Sequence, residues 1–468
     1  MSHEYDLAVV GGGPGGYVAA IRGAQEGLKV LLIEGEALGG TCLNWGCIPT
    51  KALLHSADLL HEMRGAAALG IDLAGVEPKP DLDALNGFKE KAVKKLTGGV
   101  RSLLKGAGVE VVMGMAKLKD PHTLVLKDGQ SFAAENIILA LGSQVAVPPI
   151  PGLAESGYWT SRTILSEKLT VPPRLLIIGG GVIGVEFANI FSDLGSEVTV
   201  VEMLDQLLPR MDSEVASILT KEFEKRGIAV RTGVQVTKVS ANGSKTVSVR
   251  EGEIESTLEA EEILVAVGRK PRLEMEGLDQ VGIRRSSKGI VVNESQQTSV
   301  PHIYAIGDVT GRWQLAHAAS AEGIAAVDRI VGKKNFTNRS IVPSCVYTRP
   351  EIAAVGMSLT EAKAAGRTAV EGTFPMAANS KSSLVGATAG TVKLVSDAET
   401  GELLGAHIVG TRATDLIGEL AVAMSAEVTI DEIGAAIHPH PTVSEAVMEA
   451  SHDVEGLAIH KPPTRGRG

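Results

Sequence analysis

Residues 6–16 read DLAVVGGGPGG, and this stretch decides the fold. A short apolar run of β-forming residues leads into Gly11, Gly13 and Gly16, which are spaced as G-x-G-x-x-G. A helical stretch and a second apolar strand follow, and that strand ends in Glu34. A strand, a glycine turn, a helix and a strand that ends in an acid form the fingerprint of a βαβ unit that binds a dinucleotide.

The same order of features returns between residues 175 and 202. An apolar strand leads into Gly179, Gly181 and Gly184, a helix follows, and a second strand ends in Glu202. In both copies the first glycine lies 23 residues before the terminal glutamate. One such pattern is a weak signal, but two matched copies are a strong one. The sequence therefore predicts two Rossmann-like units in an α/β fold, and the duplication disfavours ordinary glycine-rich turns.

Each residue type in the fingerprint has a physical task. The first glycine makes the turn, the second lets the backbone approach a pyrophosphate, and the third allows close packing of helix and strand. The phosphate charge lies at the helix N-terminus. Glu34 and Glu202 can accept hydrogen bonds from ribose hydroxyls. Because a carboxylate repels a 2′-phosphate and residues 203–205 contain no arginine, Glu202 favours NAD over NADP.

A pair of cysteines, Cys42 and Cys47, lies in the run GGTCLNWGCIPTK at residues 39–51. In a regular helix, residues five apart are displaced by about 7.5 Å along the axis. A disulfide needs Cα atoms within roughly 4.4–6.8 Å. We therefore expect Cys42 in a distorted turn before a helix that begins near Cys47, and Pro49 suits the first turn of that helix.

These two thiols suggest redox chemistry. A thiol pair beside a bound nucleotide can pass two electrons between a dithiol and that nucleotide. A thiol at a helix N-terminus also gains from the positive end of the helix dipole, so Cys47 should ionise easily. The alternative is two buried structural cysteines. Cys345 has no neighbouring cysteine in the sequence and is expected to be a small core residue.

Composition limits the class of protein. The 468 residues carry 45 basic and 55 acidic side chains, and the net charge of −10 argues against nucleic acid and anionic membranes as partners. Three cysteines fit a reducing compartment. The longest uncharged stretch, 136–154, contains three prolines and cannot be a membrane helix. We expect the first strand to begin at Tyr5, which leaves no room for a targeting peptide and predicts a cytoplasmic protein.

Two further segments complete the pattern. Ile306-Gly307-Asp308 ends a strand with an acid after a glycine, and His440-Pro441-Thr442-x-x-Glu445 lies near the C-terminus. With the cysteine run and both fingerprints, these segments resemble the flavoprotein disulfide reductases over nearly the whole chain. Within that family the chain is most similar to the members that oxidise protein-bound dihydrolipoamide, the E3 components of 2-oxo acid dehydrogenase complexes.

The resemblance implies cofactors, partners and a domain plan. It implies FAD on the first fingerprint, NAD on the second, and a homodimer. It also implies lipoyl domains and the E2 core of such complexes, or the H protein of glycine cleavage, as partners. With about 150 residues per domain as a guide, the segments are 1–148 for an FAD-binding domain, 149–270 for an NAD-binding domain, 271–342 for a central domain that continues the FAD-binding unit, and 343–468 for a C-terminal α+β interface and dimerisation domain.

The resemblance also implies catalytic roles. Cys42 would be the thiol that meets the substrate, and Cys47 the thiol that contacts the flavin. Lys51, one turn beyond Cys47, would lie near the flavin ring and lower the pKa of the thiol. Its expected partner is Glu186, near the nicotinamide.

His440 is the expected general acid–base, oriented by Glu445. His438 is a possible rival, and the match to the family's His-Pro-Thr pattern favours His440. If the family's dimer holds here, His440 reaches the cysteines of the other subunit.

Other residues are assigned to the cofactors by position. Asp308 would bond the ribityl chain of FAD, and Gly142 and Gly268 would form strand-end turns against FAD and NAD. No metal site is expected. The full FAD set is Gly11, Gly13, Gly16, Glu34, Lys51, Gly142, Ser143, Asp308, Gln314, Leu315, Ala316 and His317, and the NAD set is Gly179, Gly181, Gly184, Glu186, Glu202 and Gly268.

Related classes remain as alternatives. Glutathione-type reductases use NADPH, which Glu202 disfavours, and mercuric and large thioredoxin reductases carry further cysteines after residue 345 that this chain lacks. A soluble transhydrogenase would lack the cysteine pair, and a pure assembly subunit would need neither the pair nor the base. One departure from the family is Trp45, which stands between the cysteines where relatives usually carry something smaller.

Overall fold

The computed structural model describes residues 4–335 and 339–462. It confirms the predicted α/β class, with two Rossmann-like units and a C-terminal α+β unit. The helices are Pro14–Gln25, Gly40–Trp45, Cys47–Gly65, Leu82–Gly106, Leu153–Ser156, Ser161–Ser166, Val182–Leu194, Ser213–Lys225, Ala316–Ile330, Leu359–Ala364, Ser380–Leu384, Ala413–Ser425, Ile430–Ala435 and Glu445–Val454. Short 3₁₀ turns are Ala66–Leu69, Gly307–Thr310 and Met376–Ala378.

The first unit is built on a seven-stranded sheet. The strand Tyr5–Val10 lies inside this sheet and is buried at every residue except Asp6. This burial is expected for a parallel strand that is covered on both faces. In spatial order the strands are Glu110–Met113, Val30–Glu34, Tyr5–Val10, Ser131–Leu139, Thr123–Leu126 and Ala116–Asp120, and Ile303–Ala305 also pairs with Ser131–Leu139.

The late strand Ile303–Ala305 brings a distant part of the chain into this first sheet. The helix Ala316–Ile330 follows it and packs on the first fingerprint helix, Pro14–Gln25. Small residues allow the close approach, because a Cβ on Gly323 would lie 2.7 Å from the carbonyl oxygen of Gly15. This arrangement supports the predicted assignment of residues 271–342 to the first unit, and the domain boundaries themselves stay a prediction.

The second unit repeats the parallel arrangement. Its five-stranded sheet has the order Ala229–Arg231, Glu197–Val201, Arg174–Ile178, Glu262–Val265 and Trp159–Thr160. An antiparallel sheet of Val234–Asn242, Ser244–Glu251 and Ile254–Ala260 adjoins it. A two-stranded ribbon of Ser143–Val145 and Arg269–Pro271 connects the two Rossmann-like units, and a second small ribbon pairs Arg285–Ser286 with Gly289–Ile290.

The C-terminal unit is a five-stranded antiparallel sheet covered by helices. Its strand order is Ser344–Val346, Ile352–Gly356, Leu403–Val409, Thr391–Asp397 and Ala369–Pro375. The helices Ala413–Ser425 and Glu445–Val454 bury Ile417, Leu420 and Val447 against it in one core. None of the helices in the described part of the chain is both long and apolar enough to cross a membrane.

Two basic side chains, His407 and Lys393, lie side by side on the C-terminal sheet where it contacts the second unit. His407, which is 5% exposed, lies opposite Lys393 in the neighbouring strand. Lys393 Nζ lies 3.2 Å from Asp212 and 2.9 Å from Glu214, at the start of the helix Ser213–Lys225. Burial lowers the pKa of His407 below its ordinary value. Protonation of His407 therefore places a second cation beside Lys393.

We predict that acid destabilises the protein partly through His407. A histidine whose pKa is depressed in the folded state stabilises the fold above the unfolded pKa of about 6.5, and this contribution is lost as the pH falls. Between about pH 7.5 and about pH 5.5, the melting temperature of the His407→Leu variant should fall less than that of the parent protein. His55→Gln, at an exposed histidine, serves as the control and should behave like the parent. Equal falls for His407→Leu and the parent would contradict the assignment.

Candidate active site

A single open cavity of about 2920 Å³ brings most of the predicted residues together. Both fingerprints except Gly184 line it, together with both cysteines, Lys51 and Glu186. The remaining predicted residues on its wall are Glu34, Gly142, Ser143, Glu202, Gly268, Asp308, Gln314, Leu315, Ala316 and His317. Two dinucleotide cradles and a dithiol therefore share one space.

The cysteines lie on two consecutive helices. As predicted, a helix begins at Cys47, and we call Cys47–Gly65 the redox helix. The expectation of a distorted turn at Cys42 was wrong, because Cys42 lies within the short helix Gly40–Trp45. Asn44 stabilises that helix by donating to the carbonyl oxygens of Leu38 at 3.0 Å and Gly40 at 2.9 Å.

Gly46 makes the break between the two helices. Its backbone, at φ −146° and ψ −120°, folds the short helix back onto the start of the redox helix. A Cβ at this position would lie 2.7 Å from the carbonyl oxygen of Thr41 and 3.2 Å from the Cα of Cys42. No side chain fits there, so the sharp bend requires glycine. The bend is what allows two cysteines five residues apart to meet.

The two thiols interact directly. The Cys42 thiol hydrogen-bonds to Cys47, and this bond, with help from Lys51, lowers the pKa of Cys47 to about 7 although burial opposes it. The same bond and burial raise the pKa of Cys42. The Cys47 side chain is accessible from the cavity, and the protein atoms around it there account for the opposing desolvation. The pair is thus polarised, with one thiol ready to ionise near neutral pH and the other held protonated.

The predicted ion pair of Lys51 and Glu186 is present. Lys51 Nζ lies 2.8 Å from both carboxylate oxygens of Glu186, which is 3% exposed. Sequence reasoning missed a third member, Tyr347. Its backbone N–H donates to Glu186 Oε1 at 3.1 Å, and Lys51 Nζ lies 4.5 Å from the centre of its ring. Tyr347 comes from the C-terminal unit, so all three units meet at this point.

Both fingerprint helices present free N-termini to the cavity. The helices Pro14–Gln25 and Val182–Leu194 begin without a side-chain cap and without an acidic residue in the first turn. Such a terminus suits an anion. The third glycine is essential in each copy, because a Cβ would lie 1.8 Å from the Gly11 oxygen at Gly16 and 2.0 Å from the Gly179 oxygen at Gly184. These features fit the pyrophosphate of a dinucleotide.

The two fingerprint glutamates hold matching positions. Glu34 accepts hydrogen bonds from the N–H groups of Gly12 at 2.5 Å and Glu36 at 2.6 Å. Glu202 accepts from Gly180 at 2.7 Å and Leu204 at 2.8 Å. Each carboxylate therefore bridges its glycine turn to the loop after the second strand, at the cavity wall.

A buried polar group surrounds Asp308. Ser143 donates a short hydrogen bond to Asp308, and Arg269 Nε donates to Ser143 Oγ at 2.8 Å. Burial raises the pKa of Asp308, although Ser143 and Arg269 oppose this. Glu322 accepts from the N–H of Gly307 at 2.6 Å beside it. Arg269 and Glu322 were not assigned a role from the sequence, and only the position of Arg269 directly after Gly268 could have suggested one.

The strand-end glycines and the residues near 315 line the same wall. Gly142 and Gly268 directly precede the two strands of the connecting ribbon. Gln314 Nε2 donates to the carbonyl oxygen of Arg269 at 3.2 Å, and His317 Nε2 lies 2.8 Å from the carbonyl oxygen of Pro343. These contacts tie the predicted cofactor residues to the second and third units.

The predicted acid–base pair lies outside the cavity. His440 Nδ1 lies 2.9 Å from Glu445 Oε1, and 69% of the His440 side chain is exposed. Burial favours the neutral acid, yet hydrogen bonds from Thr442 N–H and from His440 lower the pKa of Glu445. The rival His438 is occupied at both ring nitrogens, by Glu419 at 3.0 Å and the Ala436 carbonyl at 2.9 Å. His440 is the accessible histidine, but within one chain it does not line the wall that carries the cysteines.

Comparison with known proteins agrees with this arrangement. Residues 5–323 match the family described as pyridine nucleotide-disulphide oxidoreductase, and residues 342–451 match its dimerisation domain. The chain belongs to the pyridine nucleotide-disulphide oxidoreductase family. The match to the dimerisation domain supports a homodimer.

Relatives in this family extend over the full length. A dihydrolipoyl dehydrogenase of Thermus scotoductus is 43% identical over 461 residues, covering 97% of this chain and 98% of the relative. A dihydrolipoyl dehydrogenase of Haloferax volcanii is 41% identical, with 97% of each chain covered. Among solved structures, the HOCl-induced flavoprotein disulfide reductase RclA from Escherichia coli has a TM-score of 0.85 at 28% identity, covering 96% of this chain and 99% of RclA.

We predict that Cys47 is the more reactive of the two thiols in the reduced, flavin-free protein. Because its pKa is lowered, the rate of alkylation by iodoacetamide should rise with pH and reach half its plateau at a lower pH than for an ordinary thiol, whose pKa is about 8.5. Cys42→Ala removes the hydrogen bond that contributes most to this shift, so the midpoint should move to higher pH. Cys42→Ser keeps a donor and should move it less.

Residue-resolved mass spectrometry of the alkylated protein provides the measurement. Cys345 is an internal control, because burial raises its pKa to about 11 and it should react slowly in every variant. A Cys47 midpoint that stays in place in Cys42→Ala would contradict the hydrogen-bond mechanism.

Proposed function

We propose that the chain is a dihydrolipoyl dehydrogenase, which oxidises protein-bound dihydrolipoamide and passes the electrons to NAD⁺ through a Cys42–Cys47 disulfide and FAD. The observation that carries this proposal is the polarised thiol pair beside Lys51 and Glu186, at the junction of two dinucleotide cradles. The names of the full-length relatives support it.

The cradles fit their proposed cofactors. The first would hold FAD, with Glu34 toward the adenosine ribose, Asp308 toward the ribityl chain and Lys51 near the ring. The second would hold NAD, with Glu202 toward the ribose and Glu186 near the nicotinamide. FAD, when bound, carries the two electrons from the dithiol to NAD⁺. No arginine follows Glu202 in residues 203–205, which supports NAD over NADP.

The chain's own groups supply the sulfur chemistry. His440 of the partner subunit accepts a proton from one substrate thiol, and the resulting thiolate attacks the Sγ of Cys42. The disulfide opens, and Cys47 leaves as a thiolate because its pKa is low and Lys51 is near. The second substrate thiol then attacks the mixed disulfide at the substrate sulfur. This step breaks the bond between the substrate sulfur and Cys42 and releases a cyclic disulfide. The proton of the second substrate thiol passes to the Cys42 sulfur, which returns as a thiol.

The position of His440 supports a dimeric active site. It is exposed, oriented by Glu445 and not part of the cavity wall in one chain, so it is accessible to a second copy. As partners we propose lipoyl domains, with either the E2 core of a 2-oxo acid dehydrogenase complex or the H protein of glycine cleavage. We also propose a cytoplasmic location.

The function is tested by coupling dihydrolipoamide to each nicotinamide cofactor. The purified protein should form NADH from dihydrolipoamide and NAD⁺, with much slower reaction for NADP⁺ and for reduced glutathione in place of dihydrolipoamide. Cys42→Ser should abolish turnover because the attacked sulfur is absent, while bound flavin should remain. Substantial dithiol-dependent NADH formation by Cys42→Ser, or a preference for NADP⁺ with glutathione, would refute the proposal.

The acid–base role gives a separate prediction. His440→Gln should lower turnover with dihydrolipoamide by about 10²–10⁴-fold, the usual contribution of a general acid–base. Glu445→Gln should cause a smaller loss, since the imidazole stays but loses its orienting carboxylate. His438→Gln is the matched control and should retain most activity. If His438→Gln loses more activity than His440→Gln, the two assignments must be exchanged.

A further inference from the structure

We propose that Trp45 and Arg162 form a clasp that sets the stability of the Cys42–Cys47 disulfide. Trp45 is the last residue of the short helix that carries Cys42, and it directly precedes the break at Gly46. The Arg162 guanidinium lies 4.2 Å from the centre of the Trp45 ring. Because Trp45 lies between the two cysteines in the sequence, a movement of its ring also moves the backbone that joins Cys42 to Cys47.

The clasp links the redox segment to the second unit. Arg162 belongs to the helix Ser161–Ser166, and Trp45 packs against the core formed by residues such as Phe187 and Phe191 of the fingerprint helix. The end of the Cys42 helix is thus held from outside the first unit. Cys42 itself packs against the core of the first unit. The short helix is therefore fixed at both faces.

Arg162 is held in turn by the loop of the first fingerprint. The Arg162 guanidinium forms a short ion pair with the carboxylate of Glu36. The same carboxylate lies 4.0 Å from the Arg272 guanidinium. The backbone N–H of Glu36 donates to Glu34 at 2.6 Å. Because this ion pair is partly exposed, it contributes little by itself. Its role is to keep the guanidinium plane over the Trp45 ring, where the attraction is directional.

A thiol that is held beside its partner forms a disulfide at a higher effective concentration. Releasing the clasp should let the end of the short helix move and lower that concentration. We assign both residues a positioning role, in which Trp45, which also lines the cavity, acts on the cysteines through the backbone of the short helix. The inference deepens the proposed function, but it concerns the protein's own disulfide and needs no lipoamide.

The test measures the equilibrium between the dithiol and the disulfide in the holoenzyme. In buffers of reduced and oxidised dithiothreitol, Cys42 and Cys47 lose two electrons and two protons to oxidised dithiothreitol as their disulfide forms. Acid quenching, alkylation and mass spectrometry give the disulfide fraction. For Trp45→Val we expect the equilibrium constant for disulfide formation to fall about tenfold, which corresponds to about 30 mV.

Companion variants separate the clasp from general damage. Arg162→Met should shift the constant in the same direction, and Trp45→Phe should shift it less. In the double variant Trp45→Val with Arg162→Met the two shifts should not add, because each substitution removes the same contact. The control is Lys29→Met, which removes the similar contact of Lys29 with the Tyr5 ring at 4.8 Å, away from the cysteines. That variant should leave the constant unchanged.

Two results would overturn the clasp. One is an unchanged constant in the folded Trp45→Val and Arg162→Met variants, and the other is strictly additive shifts in the double variant. Either result would leave the proposed function standing, because dihydrolipoamide turnover is assayed independently. If the parent protein shows no turnover of dihydrolipoamide while Trp45→Val shows the tenfold fall in the disulfide equilibrium constant, the proposed function alone is refuted.

Discussion

The ion pair between Lys51 and Glu186 is the contact on which the site depends. It joins the redox helix of the first unit to the fingerprint helix of the second, and Tyr347 adds the C-terminal unit to the same point. A buried carboxylate is tolerable only with a compensating cation and hydrogen bonds. The need to satisfy Glu186 therefore places Lys51, and with it the first turn of the redox helix, at a fixed distance from the second cradle. The low pKa of Cys47 follows partly from this placement.

The same chain uses one backbone device twice. Each fingerprint has an uncapped helix N-terminus, a glycine packed on the carbonyl of the first glycine, and a carboxylate that bridges the turn. The two copies differ in their surroundings. Asp308, Ser143 and Arg269 enclose the first, whereas the exposed side chains of Met203 and Leu204 flank the second. A more enclosed cradle suits a permanently held group, and a more open one suits a group that exchanges.

The sequence predicted those strands and helices whose formation depends on residues close together in the chain. The strands Tyr5–Val10 and Glu197–Val201 and the helix Val182–Leu194 follow from apolar periodicity and glycine placement. The first strand begins at the expected Tyr5, and the strand Glu197–Val201 ends one residue before the expected Glu202. The error at Cys42 arose because a six-residue helix has too few residues for a periodic signal, and its stability comes from Asn44 and from the bend at Gly46. Tyr347 and Arg269 were missed because their partners are more than a hundred residues away along the chain.

The carboxylates of Glu34 and Glu202 already hold their own loops by backbone hydrogen bonds. Each nucleotide-binding loop is therefore shaped before any nucleotide arrives. Ordering a loosely structured loop on association costs free energy that weakens affinity, and a loop that is rigid beforehand avoids most of that cost. The acid in each fingerprint thus holds its loop in place as well as accepting hydrogen bonds from a ligand. Replacing it would make the loop less ordered in the nucleotide-free protein, in addition to any effect on the bound state.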